Sequence, residues 1–201
     1  MEMFNGVSSF MSERKYMPKA TRIEYTAELE RFFKTNKSFE RNKLLEISGN
    51  TEVIQKHFSD CTSTTFPEID CEDLPYEDNT YDCVVMFQVL EHTKRPWLCV
   101  EETFRVLKPG GIAIFSAPFI YQVHEWPGDY FRFTIDGLIS MAESAGYSET
   151  VWTHKAGNDL MIKHMIDNPD DRRSQKFISL AKKFERKKDL YYLISTVIMK
   201  K

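Results

Sequence analysis

Three acids and bases in this chain sit where residues of their type could do chemistry. His92 and His124 each offer an imidazole, which titrates near neutral pH and can take up a proton there. Glu46 lies between Leu45 and Ile47 in an apolar run, where a carboxylate is costly without a partner. His124 also opens onto the most distinctive stretch of the chain, Ala117 to Thr134 (APFIYQVHEWPGDYFRFT), dense in aromatics with two acids and one Arg. So many large rings are unusual on a plain surface loop. Pro118, Pro127 and Gly128 exclude a regular helix or an inner strand. His124 or Asp129 can act as a base there, and Arg132 can anchor an anionic or hydroxylated molecule. The bland alternative is a loop packed on its own rings, with Asp129 and Arg132 paired.

Metal chemistry has a weaker footing. The four cysteines, Cys61, Cys71, Cys83 and Cys99, contain no C-x-x-C pair, so zinc has no spacing signature. Cys83 and Cys99 lie in apolar stretches and read as small buried hydrophobes. No metal is assigned. A metal-assisted chemistry would draw on His92, His124, Glu125 and Asp129 as ligands of a hard divalent ion.

The elements that must hold these residues read as an alternating α/β chain. Ala20 to Lys34 is an amphipathic helix, with Ile23, Ala27, Phe32 and Phe33 sharing a broad face. Lys43 to Ile47 is a short buried strand closed by Ser48-Gly49-Asn50, and Thr51 to Phe58 a short helix. Tyr81 to Phe87 and Ile112 to Ala117 are near-continuous apolar strands. Between them Trp97 to Leu107 has helical spacing and Lys108-Pro109-Gly110-Gly111 as its stop. Apolar strands joined by a helix indicate a parallel sheet covered on both faces. Thr134 caps a helix from Ile135 to Ala145 that Gly146 ends. A strand over Tyr147 to Thr153, a charged helix over Asp171 to Lys188 and a last strand over Tyr191 to Met199 complete the reading. The basic residues of the charged helix read as a solvated face.

Bulk properties narrow the function classes. With 201 residues, 42% hydrophobic and 28% charged, the chain is expected to form one domain, residues 1–40 being an arm and helix and 43–199 the core. A net charge of −3 gives no global pull toward nucleic acid, so no nucleic-acid partner is expected. No apolar run is long enough for a membrane span, and the first residues do not read as a secretory leader. A reducing cytoplasm is the expected location.

The ordered segments Asp70-Cys71-Glu72-Asp73-Leu74-Pro75-Tyr76, Asn79 to Val85, Gln88-Val89-Leu90-Glu91-His92 and Arg105-Val106-Leu107-Lys108-Pro109-Gly110-Gly111 resemble the class I S-adenosylmethionine (SAM) methyltransferases. They cover the third to fifth strands of that family's sheet. The resemblance implies a Rossmann-like three-layer sandwich: a mostly parallel seven-stranded sheet with an antiparallel last strand. SAM would lie over the carboxyl ends of the strands, with S-adenosylhomocysteine (SAH) as product. Two departures stand out. The family's first loop, acidic-x-Gly-x-Gly-x-Gly, is here Glu46-Ile47-Ser48-Gly49-Asn50-Thr51-Glu52, with one glycine; Ser is small and Asn tolerates the left-handed region, so the turn can survive. The chain is also short between Phe58 and Asp70, which implies a shortened second strand near Thr64-Thr65-Phe66 and leaves Glu68 as the nearest acid for the ribose.

On this resemblance Glu46, Ile47, Ser48 and Gly49 form the first cofactor loop. Asp70 accepts from the adenine amino group, Leu74 and the peptide nitrogens of Cys71 and Glu72 flank the ring, and Gln88 opens the loop beneath the methionine moiety. His92, His124 and Asp129 are the candidate catalytic residues. Tyr121, Glu125, Trp126, Tyr130 and Arg132 line the acceptor side as a lid, or alternatively bury themselves in a homodimer contact. The stretch also resembles a loop of small methyltransferases from surface-glycan and secondary-metabolite gene clusters, which implies O-methylation of a small molecule such as a sugar or glycan precursor. The rival is a non-catalytic partner protein of the same fold that has lost SAM. An NAD-dependent oxidoreductase is disfavoured by the missing G-x-G-x-x-G.

Overall fold

The computed structural model describes residues 19–37, 42–49, 52–124, 128–168 and 191–201. Residues 1–15 of the expected arm, the helix expected over Asp171–Lys188, and Glu125 and Trp126 of the aromatic stretch lie outside these residues. In chain order the elements are α1 (Lys19–Thr35), β1 (Lys43–Ile47), α2 (Glu52–Gln55), β2 (Asp60–Ser63) and β3 (Tyr81–Phe87). There follow a 3-10 turn (Leu90–His92), α3 (Pro96–Val106), β4 (Leu107–Pro118), α4 (Ile135–Ala145), β5 (Glu149–Ala156), α5 (Asp159–Asp167) and β6 (Ile194–Lys200).

The strands form one six-stranded sheet in the order β2-β1-β3-β4-β6-β5. The first four are parallel, and β6 runs antiparallel to both of its neighbours, β4 and β5. Alternate residues of β1, β3, β4 and β6 feed two separate cores. Leu45, Val84, Met86, Ala113, Phe115, Val197 and Met199 pack with α3 and α4. Leu44, Cys83, Val85, Ile112, Ile114 and Ile198 face Leu29, Phe32 and Phe33 of α1 and Met161 and Met165 of α5. Burial on both faces is why these strands read as unbroken apolar runs. Among the described residues no helix is long and apolar enough to cross a membrane.

Several boundaries depart from the sequence reading. Six strands are found among the described residues, not seven: after β2 the chain reaches β3 through turns. The second strand ends at Ser63, because Thr64 turns inward to accept the Ser48 N–H and Phe66 is exposed ahead of Pro67. Lys108-Pro109-Gly110-Gly111 does not cap α3; Leu107 is already extended and β4 starts there. The glycines instead serve an irregularity against β3, where Gly110 has φ +74 and a Cβ on Gly111 would meet Asp82 O at 3.0 Å. Ala27 is exposed, and among the described side chains of α1 the buried face is Leu29, Phe32 and Phe33; the expected partner Ile23 lies outside these side chains. Tyr147 belongs to the helix cap, its N–H bonded to Ala142 O, so β5 begins two residues later. α5 has no counterpart in the sequence reading, although Asn158 caps it and Met161, Ile162 and Met165 recur on its buried side.

The expected cap of α4 is present. Thr134 Oγ1 accepts from Gly137 N–H at 3.0 Å, and Gly146 closes the helix at φ +110.

Candidate functional site

Because β1, β3 and β4 are parallel, their carboxyl ends share one edge of the sheet. The segments leaving them begin at Ser48, Gln88 and Phe119, and this edge collects most of the sequence-predicted residues.

At the end of β1, Glu46 is 1% exposed. Its Oε2 accepts from Gln55 Nε2 at 2.8 Å, while Oε1 is buried without a hydrogen-bond partner. The turn above it is shaped by that carboxylate. A Cβ on Gly49 would lie 2.3 Å from Glu46 Cγ and 2.4 Å from Oε1, so only glycine fits over it. Ser48 supplies the left-handed residue of the turn, with φ +52, and Thr64 Oγ1 accepts its N–H. Gln88 takes φ +55 where the chain leaves β3, its amide reaching Ser116 Oγ at 3.2 Å.

The loop after β2 places its residues unevenly. Asp70 is exposed and accepts the Glu72 N–H at 2.9 Å. Glu72 pairs with Arg95. Ile47, Cys71 and Leu74 are core residues, so their side chains are taken by packing, with Cys71 Sγ 3.0 Å from Cys99 Sγ. Glu68 stays exposed on the turn after Pro67. Arg105 staples this loop, donating to Leu74 O, Tyr76 O, Asp78 and Glu102.

The segments after β3 and β4 meet around Glu91, which the sequence reading did not count among the site residues. Glu91 is fully buried, and neither carboxylate oxygen has a hydrogen-bond partner. His92 Nε2 and His124 Nε2 each stand 3.7 Å from Glu91 Oε1. The two rings meet edge to face, with centroids 4.8 Å apart, and Tyr121 packs on His124. The other nitrogen of each ring is tied off: His92 Nδ1 donates to Gly128 O, and His124 Nδ1 faces Gln122 O at 3.2 Å and Asp129 Oδ2 at 3.3 Å. Tyr130 N–H bonds Glu91 O, which joins the aromatic stretch to the 3-10 turn. Burial pushes the His124 imidazole down, but the carboxylates of Glu91 and Asp129 outweigh it and hold the group above its usual range.

Arg132 and Asp129 form the structural pair that was the bland alternative. The guanidinium grips both Asp129 oxygens and also donates to Tyr121 O, Gln122 O and Phe131 O. Burial would raise the Asp129 carboxyl, but Arg132 and the His124 N–H hold it down at about 2. A carboxylate so occupied is a poor base, and an Arg with every donor engaged is a poor acceptor anchor. Both now read as the internal clamp that sets His124. Tyr130 is about half exposed, with its ring against Gly128, where a Cβ would approach it to 2.6 Å.

Residues 24–115 match the family model described as "Methyltransferase domain". A demethylmenaquinone methyltransferase of Clavibacter sepedonicus is 29% identical over 99 residues, which cover 48% of this chain and 40% of that protein. The chain thus spans less than half the length of that relative. A SAM-dependent methyltransferase of Archaeoglobus fulgidus superposes with TM-score 0.54 at 12% identity, covering 88% of this chain and 94% of the other. The cyclase SpnF does so with TM-score 0.55 at 16% identity, covering 87% and 80%. One fold thus carries proteins named for different reactions, and activity has to be argued from the site.

Proposed function

We propose that this chain, a class I SAM-dependent methyltransferase by its matched domain and its sheet, methylates a hydroxyl of a small molecule such as a sugar or glycan precursor. Glu46 carries the reading. A buried carboxylate oxygen without a partner, beneath a turn that only glycine can close, fits a ligand bringing hydroxyl or ammonium donors. Bound SAM would supply an electrophilic methyl for the acceptor oxygen, with SAH as the leaving product.

The chain's residues then have distinct tasks. Glu46 and the peptide groups from Ile47 to Gly49 hold the donor at the end of β1. Asp70, on the neighbouring loop, accepts from the adenine amino group. Gln88 bends the chain so that the next segment passes beneath the methionine end. The acceptor hydroxyl is activated at Glu91, His92 and His124, in the simplest form by proton uptake at an imidazole Nε2. Holding oxygen, methyl and sulfur in line supplies much of the remaining rate. Tyr121 and Tyr130 line the acceptor side, with the Arg132–Asp129 clamp keeping the loop in shape. Residues 43–199 act as one unit behind the arm and helix of 1–40, and the cytoplasm is the proposed location, where the four free cysteines stay reduced.

The single glycine at the first loop favours one rival, a partner subunit without SAM. Thermal unfolding with and without SAH separates them. Ligand at 100 times its dissociation constant stabilises by about 2.7 kcal/mol. No shift and no calorimetric heat at millimolar SAH would sink the methyltransferase reading.

A further inference from the structure

We infer that Glu91, His92 and His124 form a binding site for one first-row divalent metal ion. This rests on the methyltransferase reading for what the ion would do, though not for whether it binds.

The argument starts from lone pairs. Gly128 O and Gln122 O can only accept, so the nitrogens facing them, Nδ1 of His92 and Nδ1 of His124, carry the ring protons. In the neutral rings both Nε2 atoms then present lone pairs toward Glu91 Oε1, each at 3.7 Å. Glu91 is 0% exposed, and neither of its oxygens is hydrogen-bonded. Three lone-pair donors turned on one another need a shared positive charge, either a proton on an imidazole or a metal ion, because a buried carboxylate without one is costly. A proton on His124 joins one ring to Glu91, whereas a metal ion engages all three groups at once.

Geometry and ligand type agree. The three ligand atoms lie within 4.8 Å of one another. Bonds of about 2.0–2.2 Å would set neighbouring ligand atoms roughly 3–3.5 Å apart, a closure on the order of 1 Å by side-chain rotation. Two imidazoles and one carboxylate suit first-row transition ions better than calcium or magnesium, and three protein ligands leave positions open. Tying the far nitrogen of each histidine to a carbonyl or carboxylate is the outer-shell arrangement that orients metal-binding imidazoles. Asp129, fixed by Arg132, supplies that support for His124 rather than a fourth ligand.

An ion here would act as a Lewis acid toward an acceptor hydroxyl drawn to its open side. The hydroxyl proton would leave to water, and the histidines would serve as ligands rather than bases.

The test uses the full chain after chelator treatment, titrated with Co²⁺ alone and followed by ligand-field absorption and calorimetry. Saturation near one equivalent, displacement by Zn²⁺, and at least tenfold weaker Co²⁺ binding in both His124→Ala and Glu91→Gln support the site. No saturable binding at millimolar Co²⁺, or both variants binding like the parent, overturns it. Circular dichroism checks folding, and if one variant is misfolded, His92→Gln replaces it under the same criterion. SAH titration of the same samples keeps the two readings apart. SAH binding without Co²⁺ binding removes the ion and leaves the methyltransferase; Co²⁺ binding without SAH binding does the reverse.

Discussion

Replacing Glu46 by Gln separates a ligand-binding carboxylate from a structural one, because the two predict opposite changes in the free protein. The side chain keeps its size, and its amide oxygen can still accept from Gln55 Nε2, now 2.8 Å from Oε2. What disappears is a buried charge with one unpartnered oxygen. The amide NH2 that replaces Oε1 is itself unpartnered, but a neutral amide is cheaper to bury than a charge. Glu46→Gln should therefore leave the ligand-free protein at least as stable, with a gain on the order of 1 kcal/mol, or roughly 2–4 °C in Tm for a chain of this size. Binding should move the other way. A hydrogen bond to a charged group contributes about 1.5–3 kcal/mol, so SAH affinity should fall roughly 10- to 150-fold. Differential scanning calorimetry of the free chain and titration calorimetry with SAH read the two effects separately. A Tm lowered by several degrees with unchanged SAH affinity would refute the assignment and make Glu46 a support for the β1–α2 junction.

Gly49→Ala places a methyl 2.3 Å from Glu46 Cγ, so SAH affinity should drop at least tenfold while circular dichroism stays that of the parent. Asp70→Ala should weaken SAH severalfold, and calorimetry showing equal affinity would remove it from the adenine site. His92→Ala and His124→Ala should each lower kcat by roughly 10²–10⁴-fold with SAH affinity nearly intact; two variants with parental turnover on the true acceptor would leave positioning alone to carry the reaction. Thr134→Ala removes the Gly137 N–H bond and should cost about 1 kcal/mol in urea unfolding, without altering SAH affinity.

The parts of the fold legible in sequence are those that local chemistry decides. Thr134 and Gly146 bracket α4 because a hydroxyl cap and a left-handed terminator act within a few residues. β1 and β3 begin and end where their apolar runs do. Lys108-Pro109-Gly110-Gly111 carries the composition of a helix stop, yet its glycines answer to the neighbouring strand, through the close approach of Asp82 O to Gly111. Non-local pairing of that kind leaves no mark on the segment itself. The second strand slipped for a similar reason: Thr64 has β-forming chemistry, but its hydroxyl is drawn under Ser48, so the pairing with β1 stops one residue earlier.

The candidate site divides along the same line. Glu46 is conspicuous in sequence because an acid interrupts a buried run, and the structure keeps it buried with one oxygen unpartnered. Glu91 has the same signature, an acid directly after Val89 and Leu90, but a position just past a strand reads as easily as a solvent-facing turn. Its burial is imposed from outside, by a loop some thirty residues further on that brings His124 over it and bonds Tyr130 N–H to its carbonyl. The aromatic stretch explains why that loop can do so. With Arg132 holding Asp129 and three backbone carbonyls, the turn is fixed from within, and Asp129 in turn fixes the His124 backbone and ring. Two residues that looked like acceptor chemistry thus set the direction of a third. Whatever reaches Glu91, a proton or an ion, meets an imidazole whose orientation is set by that clamp.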